Sequence, residues 1–322
     1  MKLFASLHEA PAPDVAVEFA SNRVSAASLE SRGGQPVVAA HATEPLPEGA
    51  LVPSLTAANL HDRTAVAGAL ARVLERVGGP RRIGVVLPDV VAKVSLIRFE
   101  QVPPRAQDLD QLIRWQVKKT APFTIEEAQI SYVRGLQGGD GHEFIVALAR
   151  RGVIEEYEAI CAEAGAYAGL VDLATFNVIN SVLAGARAPE GDWLLVNVAP
   201  DYASIAIMRG RAMIFFRNRG AEADGTLADL VHQTAMYYED RLSGAGFARV
   251  ILAGAAGTSA QQALDIDQVR RSIGERLTMA VETIDPRAAA ALTDRITAAP
   301  TLLDTLAPLV GLLLRDRDRV VV

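Results

Sequence analysis

LIRFEQVPPRAQDLDQLIRWQVKKTAPF, residues 96–123, changes pattern three times in one short run. Residues 96–102 alternate apolar and polar side chains, which predicts a strand. Pro103 and Pro104 end it, because proline has no N–H to give to a sheet ladder. Leu109, Leu112, Ile113, Gln116 and Val117 then recur at helical spacing, with Asp108, Asp110, Arg114, Lys118 and Lys119 turned away. Acids early and bases late suit the helix dipole, and Pro122 stops the helix. Trp115 stands off the apolar stripe, either as a lid over the next strand or as a contact anchor.

On the N-terminal side, residues 14–31 read as two strands around a tight turn at 20–23, and residues 36–43 as a third. A helix is predicted over 56–78, ended by Gly78 and Gly79, and an apolar strand over 82–87. On the C-terminal side, 127–149 reads as a hairpin around Gly138-Gly139-Asp140-Gly141. A helix over 150–164 with a cap at Gly165, a strand over 169–173, a helix over 174–184 and a loop over 185–192 follow. The pattern then starts again: strands at 193–198, 203–209 and 212–217, a helix at 226–242, and a strand at 250–253 entering a Gly-Ala turn. Two more helix–strand signals and a last helix at 302–315 complete it. The hairpins at 15–29 and 194–208 are weakly similar, as in a duplicated fold.

Composition narrows the function. The 322 residues suit two domains, and half of them are hydrophobic, so the chain is globular. A net charge of −6 without a basic block argues against nucleic acid as a partner. The single Cys161 sits in an apolar helical setting and reads as a buried thiol. Five scattered histidines offer no zinc-like spacing, so no metal site is expected. Residues 1–10 are too short and polar for a leader, and 301–314 carries Asp304 and Pro308; a cytoplasmic chain without a membrane span is expected. The sequence has no Gly-x-Ser-x-Gly, Walker loop, His-Glu-x-x-His or dinucleotide fingerprint. Asp172 and Asp201, near strand ends, read as structural.

Strand, Pro-Pro, amphipathic helix with a Trp and Pro-Phe exit together resemble the small subdomain typical of PilM, the actin-like family of type IV pilus assembly. The order of elements over 14–316 is similar too. The resemblance implies an α/β, actin-like (ribonuclease H-like) fold of duplicated domains with a small α+β insert in the first half. Residues 1–88 and 150–188 would form the first domain, 89–149 the insert and 189–322 the second domain. Only residues 218–248 separate the second hairpin from the adenosine turn, so the family's extra subdomain there is reduced.

Actin-like ATPases hold Mg-ATP between two Asp-x-Gly turns and a Gly-rich adenosine turn, where Asp organises Mg²⁺ and Gly admits the phosphates. The corresponding positions here are Glu18, Ser21 and Asn22 in the first turn, Asn197 and Ala199 in the second, and Gly254 and Gly257 in the third. Both phosphate-turn glycines and one carboxylate are replaced. The expectation is a degenerate site: no catalytic residues, no cofactor, a pseudo-ATPase. On their own, Glu18 reads as a solvated strand-end carboxylate and Asn197 as a turn residue bonding its own backbone.

In the family, a groove between the first domain and the insert binds the short cytoplasmic N-terminal tail of the single-span inner-membrane protein PilN. The residues assigned to that groove are Leu96, Ile97, Phe99, Leu109, Leu112, Ile113, Trp115 and Gln116, with Arg114 or Lys118 for polar ends. Leu109, Leu112 and Ile113 equally suit the insert's own core. The resemblance thus implies a non-catalytic cytoplasmic scaffold of a type IV pilus or related secretion machine. It would sit at the inner membrane through its partner and pass assembly state to a motor ATPase. The alternatives are an active ATPase binding Mg²⁺ and ATP, and a type II secretion protein of the GspL kind; those normally continue into a membrane helix, which does not follow Val322.

Overall fold

The computed structural model describes residues 13–79, 82–137, 141–185, 191–220, 225–254, 266–294 and 296–315. The chain begins with an antiparallel meander, β1 (Val15–Ala20), β2 (Arg23–Arg32) and β3 (Gln35–Pro45). Ala20 pairs with Arg23, so Ser21 and Asn22 alone make the first turn. α1 (Arg63–Arg76) leads to β4 (Arg82–Leu87), which runs parallel to β1. α1 is shorter than the predicted 56–78. It starts where the Asp62 carboxylate accepts from the Ala65 N–H at 2.9 Å, satisfying one orphan donor of the first turn. The preceding loop is held by buried Asn59, whose Nδ2 donates to the Ser54 and Ala57 carbonyls while its Oδ1 accepts from the Tyr157 hydroxyl.

The insert is rooted in a 3-10 turn, Asp89–Val91, and contains β5 (Ala92–Phe99), α2 (Ala106–Lys118), β6 (Ala128–Gln137) and β7 (His142–Arg150). Its sheet is antiparallel in the order β5-β7-β6. Of the turn predicted at 138–141, only Gly141 lies within the described residues. The pleat sends alternate side chains to opposite faces. Phe144, Val146 and Leu148 pack under α2, whereas Ile145 faces the other way, toward the second domain.

α3 (Arg151–Glu163) closes on Gly165, at φ +77°, before β8 (Tyr167–Leu173) and α4 (Ala174–Gly185). The second half repeats the unit: β9 (Asp192–Val198), β10 (Tyr202–Arg209) and β11 (Ala212–Gly220) form a meander, α5 (Leu227–Arg241) follows, and β12 (Arg249–Ala253) runs parallel to β9. Among the described residues, α5 is the one regular element between β11 and β12, in agreement with the expected reduction. α6 (Ile266–Leu277), β13 (Val281–Thr283), β14 (Ala291–Leu292) and α7 (Pro300–Leu314) complete the chain. The first sheet has the order β14-β3-β2-β1-β4-β8 and the second β11-β10-β9-β12-β13, so β14 carries the end of the chain back to the first domain.

α1 and α3 cover one face of the first sheet, with Leu70, Val73, Tyr157 and Ile160 against Val17 and Val85. Cys161 lies in this core, and burial pushes its thiol up to about 12, the inert state expected of it. α7 covers the other face through Leu306, Leu309 and Leu313. α5 and α6 cover the outer face of the second sheet, and α4 packs Val178, Ile179 and Val182 on its inner face. The α4–α7 pair therefore lies between the two sheets. Its crossing is close: a Cβ on Gly311 would fall 1.7 Å from the Asn177 carbonyl oxygen.

Candidate functional site

The two meander turns meet across the cleft between the domains. Glu18, at the end of β1, is not solvated as expected. It is buried, and its Oε2 is 3.1 Å from Arg23 Nη2, the first residue after the turn. Burial raises the Glu18 carboxyl, and the Arg23 charge and hydrogen bond oppose that rise. Asn22 Oδ1 accepts from Arg23 Nη1, and Ser21 bonds Asp201, whose carboxyl burial also raises. Asn197 does not bond its own backbone. Its Nδ2 donates to Thr175 Oγ1 at 2.9 Å, at the start of α4. Ala199 N–H closes its own turn on the Tyr202 carbonyl.

Gly254 ends β12 at φ +79°, and a Cβ there would lie 2.0 Å from the Val198 carbonyl oxygen. Its N–H, free to meet a ligand in a working adenosine turn, donates to Asp304 Oδ1 at 2.9 Å. Gly257 lies outside the described residues. The cavity left among Glu18, Arg23, Asn197, Asp201, Gly254 and Asp304 is about 30 Å³, room for a water or so, against the several hundred Å³ that a nucleotide-sized ligand needs. Mg-ATP is what the fold family brings to this cleft, and these residues do not fit it. The first-turn carboxylate is held by an internal guanidinium, the second-turn side chain is bound to α4, and the Gly254 N–H, where the third turn begins, is taken.

Behind the turns runs a hydrogen-bonded chain of side chains centred on Asp89. This residue is fully buried. Its Oδ1 accepts from the Thr175 N–H at 3.0 Å, and its Oδ2 accepts from Ser204 Oγ at 2.6 Å and from Thr175 Oγ1. Each hydroxyl is satisfied on its acceptor side too: Asn197 donates to Thr175, and Asn218 donates to Ser204 at 2.9 Å. Burial raises the Asp89 carboxyl against these hydrogen bonds. The chain links the root of the insert, α4 and the second sheet without a break. Sequence reasoning misses Asp89, Thr175, Ser204 and Asn218; the one signal is a lone Asp after the proline that ends an apolar strand, in LPDVV.

The second feature is a groove of about 820 Å³ between the first domain and the insert. Its walls are β8 and β6, each the outermost strand of its sheet. α4 supplies a floor with Phe176 and Ile179, and Ile145, Ala147 and Ala149 face in from β7. Asp172, at the end of β8, is paired with Arg315 at 2.7 Å, and burial raises its carboxyl against that pairing. The residues assigned to the groove from the sequence do not line it. Leu109 and Ile113 are buried in the insert's own core, with Ile97 and Phe99 packed on the same cluster. Leu96 packs toward the second domain. Leu112 and Gln116 are half-buried on α2, and Trp115 is 59% exposed. The cause is the pleat: α2 covers one face of the insert's sheet and the groove opens on the other.

Three sheets, the repeated meander-plus-parallel-strand unit and the helix pair between the domains define an actin-like fold. A structure described as a protein of actin-like ATPase fold and unknown function, from Bacteroides thetaiotaomicron, aligns over 94% of this chain and 98% of its own, with a TM-score of 0.50 and 8% identity. The structure of a PilM-PilN type IV pilus biogenesis complex aligns over 97% of this chain and 100% of its own, with a TM-score of 0.78 and 15% identity. The family described as type IV pilus assembly protein PilM matches residues 16–240. The chain belongs to that family. Among the described residues, no helix is long and apolar enough to cross a membrane.

Proposed function

We propose that this protein is a non-catalytic scaffold of a type IV pilus or related secretion machine, holding the cytoplasmic tail of a PilN-like inner-membrane protein between β6 and β8. The observation that carries the reading is the groove, bounded by two outermost strands. An extended segment laid along either edge pairs its backbone with N–H and C=O groups of an outermost strand and drops alternate side chains onto an apolar floor. The solved PilM-PilN complex supports the partner's identity. The Asp89 chain and the filled turns support the absence of ATP turnover, and the chain then sits at the membrane through its partner.

Titration of the purified chain with a synthetic tail peptide tests the groove. Binding should be lost in Ala147→Glu and Ala168→Glu, which place a carboxylate in it, and kept in Trp115→Ala. A peptide that fails to bind, or binds all variants alike, refutes the assignment. Calorimetry with Mg-ATP tests the cleft. No heat is expected, whereas one-site binding abolished by Glu18→Ala would restore an active ATPase.

A further inference from the structure

The chain has four lysines, Lys2, Lys93, Lys118 and Lys119, against 28 arginines. Three of the four meet at one corner of the insert. Lys118 and Lys119 end α2, and Lys93 Nζ reaches across from β5 to donate to the Thr120 carbonyl at 2.8 Å. The division of labour is sharp. The ion pairs among the described residues are all made by arginine, and these three lysines meet no carboxylate. Beside them stands Trp115, 59% exposed, with Lys119 Nζ 3.7 Å from its ring centre. A large aromatic side chain is thus left in water, with one ammonium group over its face and two more lysines at the same corner, on a chain whose net charge is −6.

The chemistry selects the partner. Arginine's planar fork recognises one carboxylate at a fixed place, while lysine's ammonium is a compact, strongly hydrated point charge. A set of unpaired lysines suits diffuse negative charge. Tryptophan adds a ring whose preferred setting is the boundary between headgroups and hydrocarbon, and long lysine stems bury their methylenes while the charge stays wet. We propose that the Trp115–Lys118–Lys119–Lys93 corner of the insert is a direct contact with an anionic bilayer surface.

Such a contact is weak alone, as single attachment signals are. It gains from a tethered partner, because a second attachment at the same membrane acts at high effective concentration. The corner is well placed for this: Lys93 directly follows Ala92, a residue of the groove wall.

Flotation of the full chain with vesicles tests the proposal, using phosphatidylcholine alone or mixed with phosphatidylglycerol, with no tail peptide present. Binding is expected to the mixed vesicles only and to fall as salt is raised. Lys118→Glu with Lys119→Glu should lower it at least tenfold, at about fivefold per lysine lost from a membrane surface. Trp115→Ser should lower it severalfold, and arginine at both lysine positions should preserve it. All of these side chains are exposed, so melting temperatures should move by a few degrees at most, from the reversed charge at the end of α2. Equal binding to neutral vesicles, no binding at low salt, or full binding by the double glutamate variant overturns the proposal. Binding to polyglutamate but not to vesicles also overturns it, in favour of an acidic protein segment. Tail-peptide titration of the same variants should be unchanged, so failure here is distinguishable from failure of the groove.

Discussion

Replacing Asp89 by alanine probes what joins the root of the insert, α4 and the second sheet at the cleft. The carboxylate accepts from the Thr175 N–H, Thr175 Oγ1 and Ser204 Oγ with no exposure to water. Neither hydroxyl can compensate by turning, because Asn197 and Asn218 already donate to them. Alanine leaves three buried donors, each costing about 1–3 kcal/mol. Against that, the variant no longer desolvates a carboxylate, a penalty of several kcal/mol in a protein interior. The balance is a net loss of about 3 kcal/mol, the low end of what removing one member of a buried polar cluster costs. At about 2–4 °C per kcal/mol for a domain of this size, the melting temperature should fall by roughly 6–12 °C. Scanning calorimetry, with urea titration to check that the transition stays cooperative, measures it. Asp89→Asn retains one oxygen and the shape, and should lose less. A loss below about 1 kcal/mol for alanine, within the range of ordinary surface changes, would refute the claim that this chain of side chains joins the domains.

The same site sets a pH dependence. Burial raises the Asp89 carboxyl, so its protonation favours the fold. That contribution is complete below the ordinary carboxylate value of about 4 and is lost as pH rises through the raised one. The stability gap between wild type and Asp89→Asn should therefore be widest in acid and narrow toward neutrality; a gap that widens instead reverses the assignment. Gly311→Ala would put a methyl group 1.7 Å from the Asn177 carbonyl, so α4 and α7 must separate, at a cost of at least about 1–3 kcal/mol; an unchanged urea midpoint would show that the crossing yields freely. Ile113→Ala should cost about 2–5 kcal/mol by opening the insert's core, while half-buried Leu112→Ala costs less than half as much. Hydrogen exchange in β5 and β7 would localise the difference, and equal losses would mean that α2 presents a different face.

The two meanders, the order of helices and the insert were legible because they depend on periodicity and on Pro and Gly at fixed offsets. The start of α1 was not. Val66, Leu70, Val73 and Val77 mark a buried face, but the cap at Asp62 decides where the helix begins, and the apolar residues before it belong to a loop tied to Asn59. The cleft positions follow from counting along the turns, yet sequence alone leaves Glu18 solvated and Asn197 bonded to its own backbone. Arg23 lies across the hairpin and Thr175 in another element, and only the folded chain sets those distances. The groove shows the same limit. The apolar stripe of α2 reveals that its face is covered, not by what, and the cover is the insert's own sheet. The strands that do form the walls owe their outermost position to sheet order, a property of topology that no local pattern in YAGLVDL or AQISYVRGLQ encodes.

The groove and the cleft share backbone. Asp89 belongs to the cleft chain, and Val91 and Ala92, two and three residues on, line the groove. Thr175 belongs to the cleft chain, and Phe176, Ile179 and Asn180 on the same helix form the groove floor. A strand seated in the groove therefore presses on the two segments whose other ends are fixed by Asp89. If those segments carry the coupling, a tail peptide tightens the cleft and an intact cleft tightens the peptide by the same factor, as linkage demands. Asp89→Ala should then weaken tail binding severalfold, within the range of about 5–150-fold common to such couplings, although Asp89 is not one of the residues that line the groove. Asp89→Asn should weaken it less, and the peptide should raise the melting temperature of wild type more than that of Asp89→Ala. Equal affinities across the three proteins would sink the coupling, and would mean that the root of the insert hinges freely between two independent units.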